Sequence, residues 1–475
     1  MSTDLSPTSS SSSAYCPAID VDEVIMGNVL SAGLGQAPAR QASIMSGLPV
    51  NVRCTSINKV CSSGLKAIAL AAQSIALGDA EVVVAGGMES MSNVPFYLSG
   101  QSRSATGLSY GNQSLLDGIL KDGLTCAIND CHMAVCTELS IVQGSRAATD
   151  GATGASQTAV QTAESRTGAT VESSHSIASH SIASHSIASH SIASHSIAPH
   201  SIASHSTCSP SSLPISRQEQ DSYAAESYKR ALSTDWSSEI IPIRSKTKED
   251  LLSNQKTNNS IAKYITSTDT SQSILVDRDE ELSKVNIEKI PKVRAAFSTE
   301  LAEKTSHKST QTASIPHSES VEATITAANA SKLGDGAAAL VLASQETVIT
   351  QRLIPQARIM GWADAEVEPI AFGTAPVLAI QKVLKKTGIR MAQISVIEVN
   401  EAFAAVVEYV IREAGLPRQL VNQSGGAIAL GHPLGASGAR LVVTALRLLK
   451  PGQLGLVAIC NGGGGASAML IEKLS

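Results

Sequence analysis

Residues 57–87 read INKVCSSGLKAIALAAQSIALGDAEVVVAGG, and this stretch decides the fold. Just ahead of it, residues 50–57 mix apolar and β-branched side chains, the composition of a strand. From Ser62 to Leu77, the residues Leu65, Ile68, Ala69, Ala72, Ile75 and Ala76 recur at three- and four-residue steps, which predicts a helix. Gly78 stops it. Glu81–Gly87 is an apolar run closing in two glycines, the pattern of a buried strand. Strand, helix and strand in that order predict a parallel α/β unit whose chemistry lies at the strands' C-terminal ends.

The same style returns further on. TITAANASKLGDGAAALVLAS (324–344) reads as a glycine-punctuated turn and a strand, and ISVIEV (394–399) as a strand. Glu401–Ala414 reads as a helix with Phe403, Val406, Val407 and Val410 on one face. Gly438–Lys450 is another helix, and 454–460 and 466–472 are two strands joined by a glycine run.

Composition narrows the class. The chain has 475 residues, 43% apolar, 16% charged and 3% aromatic. Small residues fill the difference and suit helices packed closely on buried sheets. A net charge of -5 offers nothing to nucleic acid or acidic lipid. No apolar run reads as long enough to span a membrane. Eight scattered cysteines point to a reducing compartment rather than a disulfide framework. The serine-rich start has no arginine, so it lacks the pattern of a mitochondrial presequence, and the end, EKLS, is not the peroxisomal address. With no visible targeting signal, cytoplasm and mitochondrion both remain open.

Residues 1–18 and the low-complexity stretch 143–213 read as disordered. The latter repeats SHSIA and spaces seven histidines, His175 to His205, five apart. That period matches neither helix nor strand, so a solvated linker is favoured over weak metal binding. Residues 252–275 and 304–320 read as polar surface insertions.

Four segments share a grammar in which a strand ends, a reactive side chain follows and small residues clear space around it. Cys61 precedes the first turn of a helix, where free N–H groups and the helix dipole favour a thiolate. By itself a free cysteine is more often a small buried hydrophobe than a nucleophile. His432 lies in GGAIALGHPLGASGAR (425–440), Asn400 in VNEAFA, where a helix N-cap is the ordinary role, and Cys460 in ICNGGGGASAML. Cys126, Cys131, His132 and Cys136 lack the spacing of structural zinc.

Together NKVCSSGLKAI, AGGMESMSNVP, DGLT…HM, TAANAS…DGAAALVL, VNEAFA, GGAIALGHPLGASGAR and CNGGGGASAML resemble the thiolase family, most closely its biosynthetic, acetoacetyl-CoA type. The resemblance implies duplicated α/β halves in an α-β-α-β-α layering. Residues 19–97 form the N-terminal half, 98–320 an inserted coenzyme-binding loop region, 321–345 a return to the first half, and 346–475 the C-terminal half. It also implies a first strand and helix ahead of Ile19, with that strand central in its sheet, where this sequence has serine-rich residues instead.

The implied reaction is the reversible condensation of two acetyl-CoA to acetoacetyl-CoA and CoA through an acyl-cysteine. Cys61 resembles the nucleophile, His432 the base that keeps its thiol ionised, Cys460 the thiol that moves a proton on the second acetyl-CoA, and Asn400 the holder of a water that forms one oxyanion hole with His432. The N–H groups of Cys61 and Gly462 resemble the other hole. Leu124, His132, Met133, Lys284, Phe297, Ala328, Ser331, Ala402 and Phe403 correspond to the coenzyme tunnel. Tyr223, Ala327, Ala328 and Ala330 correspond to a potassium site of some relatives. CoA is substrate and product, no cofactor is required, and a homo-oligomer, dimer or tetramer, is implied. Two other readings are a catalytically degenerate scaffold subunit and a related condensing enzyme pairing the cysteine with two histidines or with a histidine and a glutamate.

Overall fold

A computed structural model of the chain describes residues 19–98, 112, 114–142, 214–246, 273–306 and 322–475. The expectations for residues 1–18 and 143–213 lie outside these.

The first half contributes β1 (Glu23–Gly27), α1 (Pro38–Met45), β2 (Arg53–Ile57), α2 (Ser63–Leu77) and β3 (Val82–Ser90). Small pieces follow: β4 (Phe96–Leu98), β5 (Leu115–Asp117), β6 (Thr125–Cys126), β7 (Cys131–His132), α3 (Met133–Thr137), α4 (Arg217–Ser233), β8 (Ile243–Lys246), β9 (Ser273–Val276) and α5 (Ser298–Ser306). Then come β10 (Asp335–Ala343), α6 (Gln345–Thr350), β11 (Ala357–Glu366), α7 (Ala375–Thr387), β12 (Ile394–Val399), α8 (Ala404–Glu413), α9 (Ala427–Leu430), α10 (Leu434–Leu448), β13 (Leu454–Asn461) and β14 (Gly465–Lys473).

Two four-stranded sheets carry the architecture, in the orders β10-β3-β1-β2 and β11-β14-β13-β12. In each, a parallel pair (β1 with β3, β12 with β13) lies beside an antiparallel strand (β10, β14). Helices α2 and α10 fill the space between the sheets. Leu65, Ile68, Leu441 and Val442 pack there with Ile25 and Val83 of one sheet and Val457, Ile459 and Met469 of the other. Outside, α1 covers the first sheet with Ala39 near Val24 and Met26, and α7 and α8 cover the second with Ile380, Val383 and Val407. These are the five layers expected. Among the described residues between Cys126 and Leu301, Met133, Tyr223 and Tyr228 pack on the second half's core.

Several sequence expectations shift. The expected hole at the centre of the first sheet is absent: β1 pairs along its whole length with β3 on one side and β2 on the other. Among the described residues each four-stranded sheet has one edge strand without a counterpart, β11 beyond β14 in the second and β2 beyond β1 in the first. The halves therefore differ at their edges and not in the core. Residues 273–275 and 304–306, read as polar insertions, belong to β9 and α5.

Val60–Leu77 is long and apolar enough by composition to cross a membrane, contrary to the reading above. It folds as a 15-residue helix and its preceding turn, with Leu65, Ala67 and Ile68 buried against α10 and the sheets.

The central helices touch backbone to backbone. A Cβ on Gly64 would lie 2.8 Å from the Ala439 nitrogen and 2.9 Å from the Gly435 oxygen, and one on Gly438 would lie 2.4 Å from the Leu65 nitrogen. Gly27 and Gly87 of the sheet below are as close to Gly435. Alanine favours a helix over glycine by about 1 kcal/mol, but forced overpacking costs about 1–3 kcal/mol. Gly438→Ala is therefore expected to lower stability, read as a smaller unfolding free energy in urea. A rise would show that the two helices do not meet through their main chains.

Candidate active site

The crossing of α2 and α10 explains which side chains meet. Cys61 stands two residues before α2 and His432 two residues before α10. The helix starts are locked together at Gly64, Gly435 and Gly438, so the loops that carry the thiol and the imidazole are locked as well. A second tie holds the strand end. The Ser62 hydroxyl donates to Asn461 Oδ1 at 2.9 Å and approaches the Ile459 carbonyl at 3.3 Å. The residue after Cys61 is thus bonded to both neighbours of Cys460.

Around the sulfurs, the N–H groups of Gly462 and of Cys61 itself face the Cys61 sulfur. Burial nevertheless dominates and pushes this thiol up to about 12. The expected thiolate at the helix start is therefore not the resting state, because the two N–H groups only partly offset the loss of water. Cys460, at 1% exposure, is also raised, by burial first and then by Cys61 beside it. Gly463 and Gly464 adopt left-handed conformations, and a Cβ on Gly464 would sit 2.2 Å from the Val367 oxygen. A side chain at Gly462 would instead enter the space between Val60 and Met133.

His432 is oriented by Ser437. Its Nδ1 lies 2.6 Å from the Ser437 hydroxyl, which donates its own proton to the Pro433 carbonyl at 2.9 Å. That hydroxyl can then only accept, so Nδ1 carries the proton and Nε2 the free lone pair. Nε2 lies 3.4 Å from the Asn400 amide nitrogen. Burial, and then Arg440, holds His432 down to about 3, so the imidazole is neutral. Asn400 is not a helix cap; α8 begins at Ala404, after Phe403. Its Oδ1 is buried with no hydrogen-bond partner, an acceptor left open beside the imidazole.

Two buried carboxylates hold the loops, and sequence reading gave neither a role. Glu89, at the end of β3, accepts from the amides of Val29 (3.0 Å), Leu30 (3.1 Å) and Gly435 (2.9 Å) and from Asn28 Nδ2 (3.0 Å). It ties the first sheet to the start of α10, where the dipole favours a negative group. Glu401 accepts from Tyr223 (2.8 Å), Ser227 (2.8 Å) and the Ile428 amide (3.0 Å). Both lay in quoted motifs; only their distance in sequence from the groups they hold kept them silent.

The other expected residues fall in separate groups, one of them beside Gly462. Met133 is buried near it, and the His132 ring stacks on Phe297 with centroids 4.0 Å apart. The turn holding Ala328 and Ser331 joins the Ala402–Phe403 loop, with the Ser331 amide on the Ala402 carbonyl at 3.0 Å. Leu124 is half-buried. A groove of about 740 Å³ continues past Phe297, lined by Ala295, Arg294 and Arg217. Lys284 is exposed and paired with Glu281. The Tyr223 hydroxyl is held by Glu401 and Asn422 rather than aimed at an ion. Among the described residues no cluster of His, Cys, Asp and Glu could hold a metal.

Residues 12–168 match the family model described as thiolase, N-terminal domain, and 353–473 that of thiolase, C-terminal domain. The chain is 39% identical over 465 residues to the mitochondrial acetyl-CoA acetyltransferase of Mus musculus, covering 97% of itself and 82% of that protein. It is 37% identical over 460 residues to the cytosolic acetyl-CoA acetyltransferase ERG10 of Gibberella zeae, covering 96% and 87%. The crystal structure of Acat5 thiolase from Ascaris suum in complex with coenzyme A aligns with a TM-score of 0.65 at 35% identity, covering 97% of this chain and 90% of that one.

The burial of His432 has a measurable sign. Unfolded, the imidazole takes a proton near its usual 6.5; folded, only near 3. Its contribution to stability is whole above the unfolded value and is lost as pH falls through the interval, because the unfolded chain then binds the extra proton. The slope approaches about 1.4 kcal/mol per pH unit. Urea unfolding of His432→Gln from pH 7 to 4 should show a shallower fall than the unsubstituted chain. Parallel curves would mean that the imidazole titrates normally in the folded state.

Proposed function

This chain belongs to the thiolase family and is an acyltransferase, and on that premise we propose that it catalyses the reversible condensation of two acetyl-CoA into acetoacetyl-CoA and CoA. The observation that carries the reading is a second thiol, Cys460, against Cys61, with His432 on the loop ahead of the helix locked to that of Cys61 and the open Asn400 acceptor beside the imidazole. Coenzyme A is then substrate and product. The relative structure in complex with coenzyme A supports that assignment.

The steps follow from the protonation states. Thiol and imidazole begin neutral, so Cys61 is activated only during attack. Its proton passes to His432 Nε2 as sulfur bonds the thioester carbon. Once protonated, Nε2 becomes a donor. With a water held at Asn400 Oδ1 it can then hold an oxygen, while the N–H groups of Cys61 and Gly462 hold the other. The leaving CoA sulfur takes its proton from the Cys460 thiol, and acetyl remains on Cys61, while His432 keeps the first proton until the Cys61 sulfur leaves and takes it back. Cys460 then takes a proton from the methyl carbon of a second acetyl-CoA. The resulting carbanion attacks the acetyl carbon, and the Cys61 sulfur leaves.

Glycines around both sulfurs leave room for a narrow thioester and for main-chain donors. The wall of Met133, His132, Phe297, Ala328, Ser331, Ala402 and Phe403, with Leu124 at its margin, is assigned to the pantetheine arm. A homo-oligomer is proposed with it, and the open outer edge of β2 is a surface on which it can form.

A related condensing enzyme with two histidines, or histidine and glutamate, fits less well. Glu401 turns its carboxylate to Tyr223, Ser227 and Ile428, and a thiol stands at residue 460.

Incubation with acetyl-CoA and peptide mapping should place acetyl on Cys61. Cys460→Ala should keep that label while condensation falls by at least about a hundredfold. Asn400→Ala should lower kcat by about 10²-fold with KM little changed. A folded, cooperatively melting chain with no acetyl on Cys61 and no thiolysis of acetoacetyl-CoA would favour the scaffold reading instead.

A further inference from the structure

Three thiols that take no part in this chemistry converge behind the coenzyme wall. Cys126 and Cys131 face each other across the β6–β7 hairpin. Cys131 and Cys136 have their sulfurs 3.3 Å apart, joined by a hydrogen bond across the turn into α3. The Cys126 thiol donates to Asn129 Oδ1 at 3.2 Å and also lies close enough to Cys136 to help raise it. All three are reduced. His132 and Met133, two wall residues, lie between the close pair in sequence.

We propose that Cys131 and Cys136 are a peroxide-sensitive dithiol whose closure to a disulfide distorts the coenzyme wall.

The pair is unequal. The two sulfurs share one hydrogen bond, and Lys304 lies near Cys131, whose thiol is lowered, by Cys136 first, while that of Cys136 is raised. Thiolate character selects the sulfur that reacts first. The two candidate catalytic thiols are both raised and sit lower in that order. Cys131 and Cys136 are buried, at 3% and 0% exposure, so peroxide must reach them through opening of the short hairpin above them. The hairpin has two residues per strand, and its turn exposes Ile128 at 74%.

The steps balance with hydrogen peroxide as the oxidant. The Cys131 thiolate attacks one peroxide oxygen and the O–O bond breaks, giving a sulfenic acid and hydroxide. The Cys136 sulfur then displaces hydroxyl from Cys131, the S–S bond forms, and its proton leaves with that oxygen as water. Two electrons pass from the dithiol to peroxide. A dithiol reductant reverses the change.

Closure must bring sulfurs 3.3 Å apart to about 2.05 Å. The movement falls on β7 and the first turn of α3. There the His132 amide is tied to Glu300 at 2.8 Å, its ring is stacked on Phe297, and Met133 abuts Gly462.

The test uses the full chain, reduced and freed of reductant, then treated with hydrogen peroxide and N-ethylmaleimide. One tryptic peptide, residues 122–146, holds all three cysteines. It is expected two hydrogens lighter, with label on Cys126 alone and on Cys61 and Cys460 elsewhere. Dithiothreitol should restore two further labels. Cys126→Ala should close as readily, and Cys131→Ala should not close. Calorimetry of coenzyme A should show Kd raised about tenfold in the closed form.

Labels on all three cysteines after peroxide, or a link through Cys126, would overturn the dithiol. A closed pair with unchanged Kd would overturn its effect on the wall. This second part rests on the function proposed above, and the two are separable: a reduced chain that bound no coenzyme A would defeat that reading and leave the peptide map standing.

Discussion

Everything at the reaction centre depends on two helices meeting through their main chains. Gly64 and Gly438 put no side chain between α2 and α10, and Gly27 and Gly87 let the first sheet rise to Gly435. Ordinary helix pairs are held 8–10 Å apart by their side chains. Here the starts of both helices converge, and each start follows a reactive residue. Cys61 and His432 are nearly four hundred positions apart in the chain, yet their loops are anchored on one small block of backbone.

Electrostatics completes the fixing. The site contains a half-buried neutral thiol, with a neutral imidazole and a second neutral thiol that are both buried. Charge is kept one step back, on Glu89 and Glu401, each surrounded by N–H and O–H donors. A buried carboxylate is tolerable only with such partners. Those donors belong to the loops that must not move, so each carboxylate binds together segments distant in sequence. The reacting groups can then exchange protons with substrate without rearranging fixed charge.

Much of this was legible beforehand. The periodicity of Leu65, Ile68 and Ala69 placed α2, and the apolar runs placed β3, β12, β13 and β14 within a residue or two. Other features were not. Helix α10 begins at Leu434 rather than Gly438, because its first turn, Leu-Gly-Ala-Ser, is held by Glu89 and the sheet and not by local propensity. Asn400 read as a cap because strand-to-helix asparagines usually are; only the fold shows a three-residue gap before α8. The direction of the Cys61 shift was misjudged because a sequence displays helix dipoles but not the depth of burial. The gap expected at the centre of the first sheet is closed by β1 pairing directly with β3, since pairing order is written between distant segments.

The sheet edges leave the duplicated halves unequal. The antiparallel strand of the second sheet is clamped on both sides by β13 and β11. Its counterpart β10 is hydrogen-bonded on one side only among the described residues, with Val341 63% exposed. A strand held by one ladder opens by local fluctuation more readily than one held by two. Strand β10 is therefore expected to part from its single neighbour before β14 parts from both of its own.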